Sequence, residues 1–535
     1  MSDILRDRLV IVLAALLLFV PGLGAVHLFD WDEINFAEMA REMVVTGDVL
    51  RPRIDFKPFH EKPPLFIWLQ AACMAVFGVG EFAARLPNAV CGAITLLVIH
   101  GMGTRLRGPL FGRLWALTYV GSILPHLYFR SGIIDPWFNL FIFLGLDRII
   151  RVFDGAGRSD AVWGGLFLGM AVLTKGPVGI LIPGLTAGAM LIRSRLRLRL
   201  PVVPLVWMAL ALLVTIGSWA AIDLLRNGPT FMQAFFWRQV AMLTTEDAGH
   251  GGFLGYHVVV LLVGCFPASI FALDEGIRPS GPGGPQPLHR RWMVVLLLVV
   301  LVLFSLVKTK IVHYSSLCYF PLTYLAAVRL AHIWEHRVPF GPSRFALGAL
   351  GSLIAAVVIA VPFLGMRPDL LRPLMSSDPF ALGNLEAVVT WTGREALAGV
   401  LLAAALLAAH FLHGATRYRM SIVVLFCGGA LFVTTTLVAF ISNIEAYSQR
   451  AAIDFFTARQ GERCHLATKD YKSYAPWFYG RTTGPTPPEE VLFHGPIDRP
   501  VYLSCKVTSV EAVQALGTFT EIGRSNGFVF FRRDP

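Results

Sequence analysis

Two carboxylates in this sequence stand beside apolar segments, where acidic side chains are costly. Asp32 opens, together with Glu33, a run with helical periodicity, and Asp135 lies directly before Pro136 at the edge of an apolar segment. If both lie on one side of a cavity, they could polarise or deprotonate an acceptor hydroxyl. The alternative is structural, since acidic residues favour the first turn of a helix and an aspartate can cap one. The cost of ionisable groups beside hydrocarbon favours a functional role.

Four lysines could bind a phosphate. They are Lys62, Lys175, Lys308 and Lys310. An ammonium group acts on phosphate as a point charge, so the set suits a lipid-linked phosphate or pyrophosphate. Single lysines that only extend to the membrane interface are the alternative. His313 and Tyr314 follow Lys310 closely, and we expect them either at the rim of the site or in core packing.

Glu61 and His250 are the best pair of candidate metal ligands. Both stand beside glycine or proline turns and are far apart in the sequence. A carboxylate and an imidazole suit Zn²⁺ better than Mg²⁺. Two ligands are too few to define a site, and a single loop histidine is commonly only solvated. A metal site and an ordinary polar loop therefore both stay open.

The composition indicates a membrane protein with many spans. The 535 residues are 55% hydrophobic and only 15% charged, which is too apolar for an ordinary soluble protein. The net charge of +11 comes mostly from arginines in short clusters between apolar runs. These clusters lack the interleaved aromatic residues of a nucleic-acid groove, so we predict no nucleic-acid partner.

Apolar segments divide the chain into about 13 predicted spans, at about 20 residues for each crossing. The first ends at about Leu28, and no convincing signal-peptide cleavage site follows it. The positive-inside rule places the arginine-rich loops on the cytoplasmic side of the membrane and every lysine on the outer side. The loop 29–81, Asp135, Lys175 and the segment 223–253 then all fall on the outer side.

The tail from about residue 443 is polar and has no further span. Its pattern predicts a small α/β unit with strands at 465–468, 501–504 and 527–531 and a helix at 510–516. Because successive spans cross the membrane in opposite directions, we expect this tail on the outer side of the membrane. Cys464 and Cys505 could form a disulfide there, because disulfides persist in oxidising compartments.

At these positions the chain resembles the GT-C class of membrane glycosyltransferases that use polyprenyl-phosphate sugars. More narrowly, it resembles the lipid A aminoarabinose transferase branch and the protein O-mannosyltransferase superfamily. Seven short motifs carry the resemblance, in the family's order: 32–39, 60–64, 82–87, 135–136, 173–177, 246–250 and 309–314. Two departures from the aminoarabinose branch, at 34–35 and at 251–256, leave the sugar and the acceptor undetermined.

The resemblance implies an outward-facing cavity between an extracytoplasmic domain and the bilayer. It implies catalytic roles for Asp32 and Asp135, and a position near the donor phosphate for Lys62. The other implied substrate-binding positions are Glu33, Lys175, Lys310, His313 and Tyr314. It also implies metal binding at Glu61 and His250, which would tie the first loop to a later one.

We therefore expect an all-α polytopic membrane protein with a small C-terminal α/β extracytoplasmic domain. The predicted domains are a transmembrane domain 1–442, which includes the loop 29–81, and a soluble domain 443–535. The expected function is inverting transfer of a sugar from polyprenyl phosphate to a lipid, lipopolysaccharide or other glycan on the periplasmic side of a bacterial inner membrane. The chain is expected to act as a monomer among membrane lipids. The alternative is a lipid or sugar-lipid transporter, although no inverted repeat is evident.

Overall fold

Helices dominate the fold, because a backbone in hydrocarbon must satisfy its own hydrogen bonds. The computed structural model describes residues 3–30, 32–194, 200–244, 251–280 and 287–535. The helices of the first half are α1 Asp3–Phe19, α2 Asp32–Thr46, α3 Leu65–Phe77, α4 Glu81–Arg107, α5 Pro109–Val120, α6 Ile123–Leu127, α7 Asp135–Phe153, α8 Arg158–Lys175, α9 Val178–Arg193, α10 Val202–Asn227, α11 Thr230–Thr244, α12 Tyr256–Gly264 and α13 Ala268–Ile277.

The second half continues with long helices and ends in short ones. These are α14 Pro287–Leu306, α15 Tyr319–His336, α16 Ser343–Gly365, α17 Arg372–Met375, α18 Pro379–Asn384, α19 Leu397–Gly414, α20 Tyr418–Ala446, α21 Arg450–Thr457, α22 Ala475–Phe478, α23 Glu489–Phe493 and α24 Val510–Gln514. The strands are β1 Arg53–Ile54, β2 Lys57–Pro58, β3 His465–Lys469, β4 Val501–Lys506, β5 Thr520–Ser525 and β6 Phe528–Arg533. A 3₁₀ segment, Val312–Cys318, joins α14 to α15.

Within the described residues, six helices are long and apolar enough to cross a bilayer, or seven if α12 and α13, bent by 116°, form one span. Other apolar segments also form helices, but they are shorter or more charged. For example, α9 has 16 residues, and α7 carries two aspartates and two arginines. The count of about 13 spans therefore stays a prediction.

Close helix packing positions the end of α8. Gly165 and Gly169 face α10, and a Cβ atom at Gly165 would lie 2.1 Å from the Met208 carbonyl oxygen. Small residues let two membrane helices approach this closely. The contact fixes α8 against α10 and so fixes the position of Lys175, the last residue of α8.

A hydrophobic core joins the first loop, 29–81, to the C-terminal tail. It contains α2 and α3 residues such as Ile34, Phe36 and Phe66 together with tail residues such as Phe456 and Phe478. The loop is also bonded to the tail through a hairpin. Asp55 and its neighbour have positive φ at the turn between β1 and β2, and the Asp55 carboxylate accepts a hydrogen bond of 2.6 Å from the Thr486 amide.

The tail folds around a four-stranded sheet with the order β3-β4-β6-β5. Strands β3 and β4 are parallel, whereas β6 is antiparallel to both of its neighbours. The three predicted strands and the predicted helix are present within two residues of their predicted ends. The edge strand β5 was not predicted, because its residues are polar and largely exposed and show no alternation.

Cys464 and Cys505, whose pairing the sequence left open, are both free cysteines. Cys505 pairs in register with Lys469 of the parallel neighbour, whereas Cys464 lies just before that strand begins. Their separation along the strands is about 16 Å, at about 3.3 Å for each residue. A disulfide requires Cα atoms no more than about 7 Å apart.

A buried acidic residue of α2 should lower stability as the pH rises. Burial and the neighbouring Glu38 raise the pKa of the Glu42 carboxyl from 4.5 to about 8. Folding therefore favours the protonated form, and this stabilisation is complete below the ordinary pKa and is lost as the pH rises through 8. We expect Glu42→Gln to raise the thermal unfolding midpoint by ~2–4 °C at pH 9 and to change it little at pH 5.

The measurement is thermal unfolding of the detergent-solubilised protein at both pH values. Glu386→Gln is the matched control, because this glutamate is exposed. An equal effect of Glu42→Gln at pH 5 and pH 9 would contradict the assignment.

Candidate active site

A polar chamber of about 490 Å³ lies between the helical region and the C-terminal domain. Its walls come from α2, the loop before α3, the starts of α7 and of the 3₁₀ segment, the end of α8, α11 and the tail. The lining residues are Phe29, Asp30, Asp32, Glu33, Asn35, Phe36, Glu61, Lys62, Ile133, Ile134, Asp135, Lys175, Arg238, Ile311, His313, Tyr314, Lys472 and Tyr474.

An apolar groove of about 470 Å³ adjoins the polar chamber. The two spaces share four lining residues: Lys62, Asp135, Lys175 and Tyr314. The rest of the groove is nearly all apolar, with side chains from α7, α9 and the end of α14. The groove can therefore hold a hydrocarbon chain, and the shared residues stand where that chain would meet a polar head group.

A buried ion pair lies at this junction. Lys175 Nζ donates to Asp135 Oδ1 at 2.7 Å, and the same ammonium lies 5.4 Å from the centre of the Tyr314 ring. Asp135 begins α7, with Pro136 in its first turn. Gly176 ends α8 with a φ of +98°, a conformation that favours glycine, so the chain turns sharply after Lys175. Helix ends thus bring the two charges together.

His313 lies between the two predicted catalytic carboxylates. Its Nε2 atom is 3.5 Å from Asp32 Oδ2 and 3.8 Å from Asp135 Oδ2. Burial lowers the pKa of His313, which favours a neutral ring at pH 7. The Asp32 side chain is 42% exposed, whereas that of Asp135 is 5% exposed. Asp32 is therefore the carboxylate that can meet an incoming substrate.

Lys62 supplies a cation that is available to an anion. It lines both the polar chamber and the apolar groove. Within the part of the chain that the structure describes, no carboxylate lies within 4 Å of its ammonium. Burial lowers the pKa of Lys62, and the nearby Lys175 cation lowers it further. A bound phosphate would relieve this repulsion, so the geometry suits the predicted contact with a donor phosphate.

Glu33 differs from its predicted role in substrate binding. Its carboxylate accepts hydrogen bonds of 3.0 and 2.7 Å from Arg85 and further bonds from the backbone amides of Phe29 and Gly132. Burial alone would raise the pKa of Glu33, but the Arg85 charge outweighs it and the pKa is lowered. Glu33 is thus a positioning residue that holds α2 against the start of α7.

Lys310 also differs from its prediction, because it lines neither the polar chamber nor the apolar groove. Its ammonium donates to the carbonyl oxygens of Phe304, at 3.1 Å, and Ser305, at 2.7 Å, at the end of α14. A lysine placed shortly after a helix commonly binds the last free carbonyls. This local signal in the sequence favours capping over substrate binding.

The predicted metal site is only half described. Glu61 lines the polar chamber, and its Oε1 lies 3.1 Å from Arg238 Nη2. His250 lies outside the described residues. Among the residues that the structure describes, no group of three or more histidine, cysteine, aspartate or glutamate side chains could hold a metal ion. The metal therefore stays a prediction.

The polar chamber also contains residues that the sequence did not single out as site residues. Asp30, Arg238, Lys472 and Tyr474 line it, and none of them has a local sequence signal that distinguishes it as a site residue. Two of them come from the C-terminal domain, more than 400 residues after α2. Only the tertiary fold brings them to the site.

The chain as a whole is similar to several known proteins. Residues 61–219 match the family described as dolichyl-phosphate-mannose-protein mannosyltransferase. The chain is 27% identical over 409 residues to the undecaprenyl phosphate-alpha-4-amino-4-deoxy-L-arabinose arabinosyl transferase of Pectobacterium carotovorum, covering 74% of this chain and 71% of that protein. It is 30% identical over 368 residues to the protein of the same name from Pseudomonas aeruginosa, covering 66% of this chain and 63% of that protein.

A solved structure shares the whole fold. It is ArnT from Cupriavidus metallidurans bound to undecaprenyl phosphate, with a TM-score of 0.76 and 20% sequence identity, covering 98% of this chain and 97% of that one. The expected fold class, a polytopic helical protein with a small C-terminal α/β domain, is confirmed. The two relatives are named as transferases, so the transporter alternative is not favoured.

Loss of the Glu33 charge should destabilise the protein. Glu33→Gln would leave the buried Arg85 guanidinium without its carboxylate, and breaking a buried pair in this way costs ~3–5 kcal/mol. The measurement is the free energy of unfolding by denaturant in detergent. The matched control is Glu521→Gln, because Glu521 binds Arg524 through two similar hydrogen bonds on an exposed strand and should cost less than ~1 kcal/mol. Equal losses in the two variants would contradict the positioning role.

Proposed function

Because the chain belongs to the GT-C superfamily of polyprenyl-phosphate-sugar-dependent membrane glycosyltransferases, we propose that it transfers a sugar from a polyprenyl phosphate to an acceptor at the outer face of a bacterial inner membrane. One observation carries the proposal. Lys62 lies where a polar chamber meets an apolar groove, so a single lipid phosphate can place its chain in hydrocarbon and its head group beside a cation.

The donor would lie across this junction. Its prenyl chain would run along the apolar groove past Val178, Leu181 and Phe304, while its phosphate would bind Lys62 and approach Lys175. Undecaprenyl phosphate is the first carrier to test, since two relatives are named for it. The attached sugar would then project away from the groove into the polar chamber.

Transfer would be a direct displacement at the anomeric carbon. The acceptor oxygen forms a new bond to this carbon from the face opposite the phosphate, so the configuration inverts. The old bond from carbon to phosphate oxygen breaks, and its electron pair leaves with the polyprenyl phosphate. Lys62 and Lys175 would stabilise the negative charge that grows on that phosphate.

The two carboxylates would have different roles. Asp32 is partly exposed to the polar chamber and would orient an acceptor hydroxyl and take its proton. Asp135 is buried against Lys175 and would hold that ammonium in place. An acceptor that is itself a phosphate needs no base, in which case Asp32 would only orient it. A metal at Glu61 and His250, if bound, would join two loops structurally.

The proposed acceptor is a membrane glycolipid or another glycan on the periplasmic side. The arginine-rich inside loops and the outer positions of the predicted site residues support this orientation. The names of two relatives make 4-amino-4-deoxy-L-arabinose the first sugar to test. The chain's own residues at 34–35 and 251–256 differ from that branch, so other sugars belong in the same panel.

The direct test uses membrane vesicles and undecaprenyl-phosphate sugars labelled in the sugar. Transfer of label to a lipid or glycan acceptor is the expected result. Movement of labelled donor across the membrane without transfer would replace the proposal with the transporter alternative.

In this assay Asp32→Asn should lower transfer by about a hundredfold or more, because loss of a general base commonly costs about 10²–10⁴ in rate. Membrane insertion and donor binding should be unchanged. Asp48→Asn is the control, since Asp48 lies in the same loop but pairs with Arg53 outside the polar chamber. Full activity of Asp32→Asn would remove this residue from the mechanism.

Lys62→Ala should raise the donor KM and lower kcat together, because the ammonium would act on the bound phosphate and on the leaving phosphate. We expect kcat/KM to fall by about tenfold to a thousandfold. Lys308→Ala is the matched control, because Lys308 is exposed and lines neither space. Unchanged kinetic constants in Lys62→Ala would contradict the assignment of the donor phosphate.

A further inference from the structure

The wall of the polar chamber contributed by the C-terminal domain has no role in the steps above. Its members are Lys472 and Tyr474, and Asp30 lies beside them. None of the three lines the apolar groove. They therefore stand away from the junction where the donor phosphate is proposed to bind.

Asp30 is hydrogen-bonded to the backbone of Tyr474. The Asp30 carboxylate accepts a hydrogen bond of 3.1 Å from the Tyr474 amide and another from the Ser473 hydroxyl. Ser473 in turn accepts a bond of 3.1 Å from the Ala475 amide at the start of α22. These bonds fix the Asp30 carboxylate through both of its oxygens and do not involve the Tyr474 hydroxyl.

Tyr474 lines the polar chamber and carries a phenol hydroxyl. The residue is 4% exposed, and the Lys472 ammonium lies 5.4 Å from the centre of its ring. Burial raises the pKa of the Tyr474 phenol, and the carboxylates of Glu61, Asp30 and Asp32 raise it further. The hydroxyl is therefore protonated, and it lies close to the carboxylates of the polar chamber.

Donor geometry directs the sugar to this wall. With the prenyl chain in the apolar groove and the phosphate at Lys62, the sugar would lie in the part of the polar chamber that the groove does not share. A sugar ring carries a rim of hydroxyls. A phenol hydroxyl and a carboxylate held at fixed positions can form hydrogen bonds to them.

We propose that Tyr474 and Asp30 form the subsite that holds the transferred sugar, so that the C-terminal domain helps to select which sugar is used. The inference rests on the proposed function, because it assumes a sugar-bearing donor. The Tyr474 hydroxyl and the Asp30 carboxylate would bond to the sugar hydroxyls, which makes both residues specificity-determining.

A matched control lies three residues away. Tyr471 is in the same segment, but its hydroxyl donates a hydrogen bond of 3.0 Å to Ser504 Oγ on β4. Tyr471 does not line the polar chamber. Loss of either hydroxyl removes one oxygen from the same part of the fold. A difference between Tyr474→Phe and Tyr471→Phe therefore reports on the polar chamber and not on the stability of the domain.

The experiment measures binding by the full-length protein in detergent, by competition with labelled undecaprenyl phosphate. The competitors are bare undecaprenyl phosphate and its glucose, mannose and 4-amino-4-deoxy-L-arabinose derivatives. We expect the wild type to prefer one sugar-bearing carrier over the others. Tyr474→Phe and Asp30→Asn should weaken binding of that carrier by about tenfold, as for one lost hydrogen bond. They should change binding of the bare carrier by less than about twofold. Tyr471→Phe should match the wild type.

The inference is overturned if the wild type does not discriminate among the sugar-bearing carriers, or if Tyr474→Phe retains the full preference. Equal weakening of the bare and sugar-bearing carriers would also overturn it, since that pattern indicates a general structural effect. Failure of the proposed function has a different signature. In that case the vesicles transfer no label, whatever the binding experiment shows.

Discussion

The buried ion pair between Asp135 and Lys175 sets the electrostatics of the whole site. The two groups are 2.7 Å apart at the boundary between a polar chamber and an apolar groove. Each charge would be costly there alone, and the pairing offsets that cost. Because Asp135 compensates Lys175, Lys62 stays available to a lipid phosphate at this boundary, and Asp32, rather than Asp135, stays available to an acceptor.

Elements from distant parts of the chain hold these charged groups at their positions. The bond of Glu33 to Arg85 and to the Gly132 amide holds α2 against the helical region. The hydrophobic core that α2 and α3 share with the C-terminal tail holds the opposite wall. The tail is therefore structurally part of the site, and it contributes two residues to the chamber that surrounds the proposed reaction.

The sequence predicted the site residues that have local signals. Asp32, Lys62, Asp135, Lys175, His313 and Tyr314 all line the polar chamber, because charged or polar residues beside apolar segments are conspicuous in a membrane protein. Glu33 shares this signal and also lines the polar chamber, but its carboxylate is bonded to an arginine. Lys310 shares it too, but binds backbone carbonyls and does not line the chamber. Sequence cannot distinguish a charge that is used for packing from one that is left for a substrate, because the partners are remote in the chain.

Other features could not be predicted for related reasons. Tyr474 reaches the polar chamber only through tertiary packing, and the edge strand β5 is defined by its pairing with β6 and not by its composition. The pairing of Cys464 and Cys505 stayed open at the level of sequence, because compartment and cysteine number carry no information about strand register. The overall class was accessible because hydrophobic run length and arginine placement depend on the bilayer itself.

We propose that a single lipid phosphate at Lys62 bridges the apolar groove and the polar chamber. An experimental structure of this protein with undecaprenyl phosphate bound would test this position. We expect phosphate density within about 4 Å of the Lys62 ammonium, with the prenyl chain between α9 and the end of α14. Phosphate density away from Lys62, or a prenyl chain that leaves the groove between α9 and α14 empty, would contradict it.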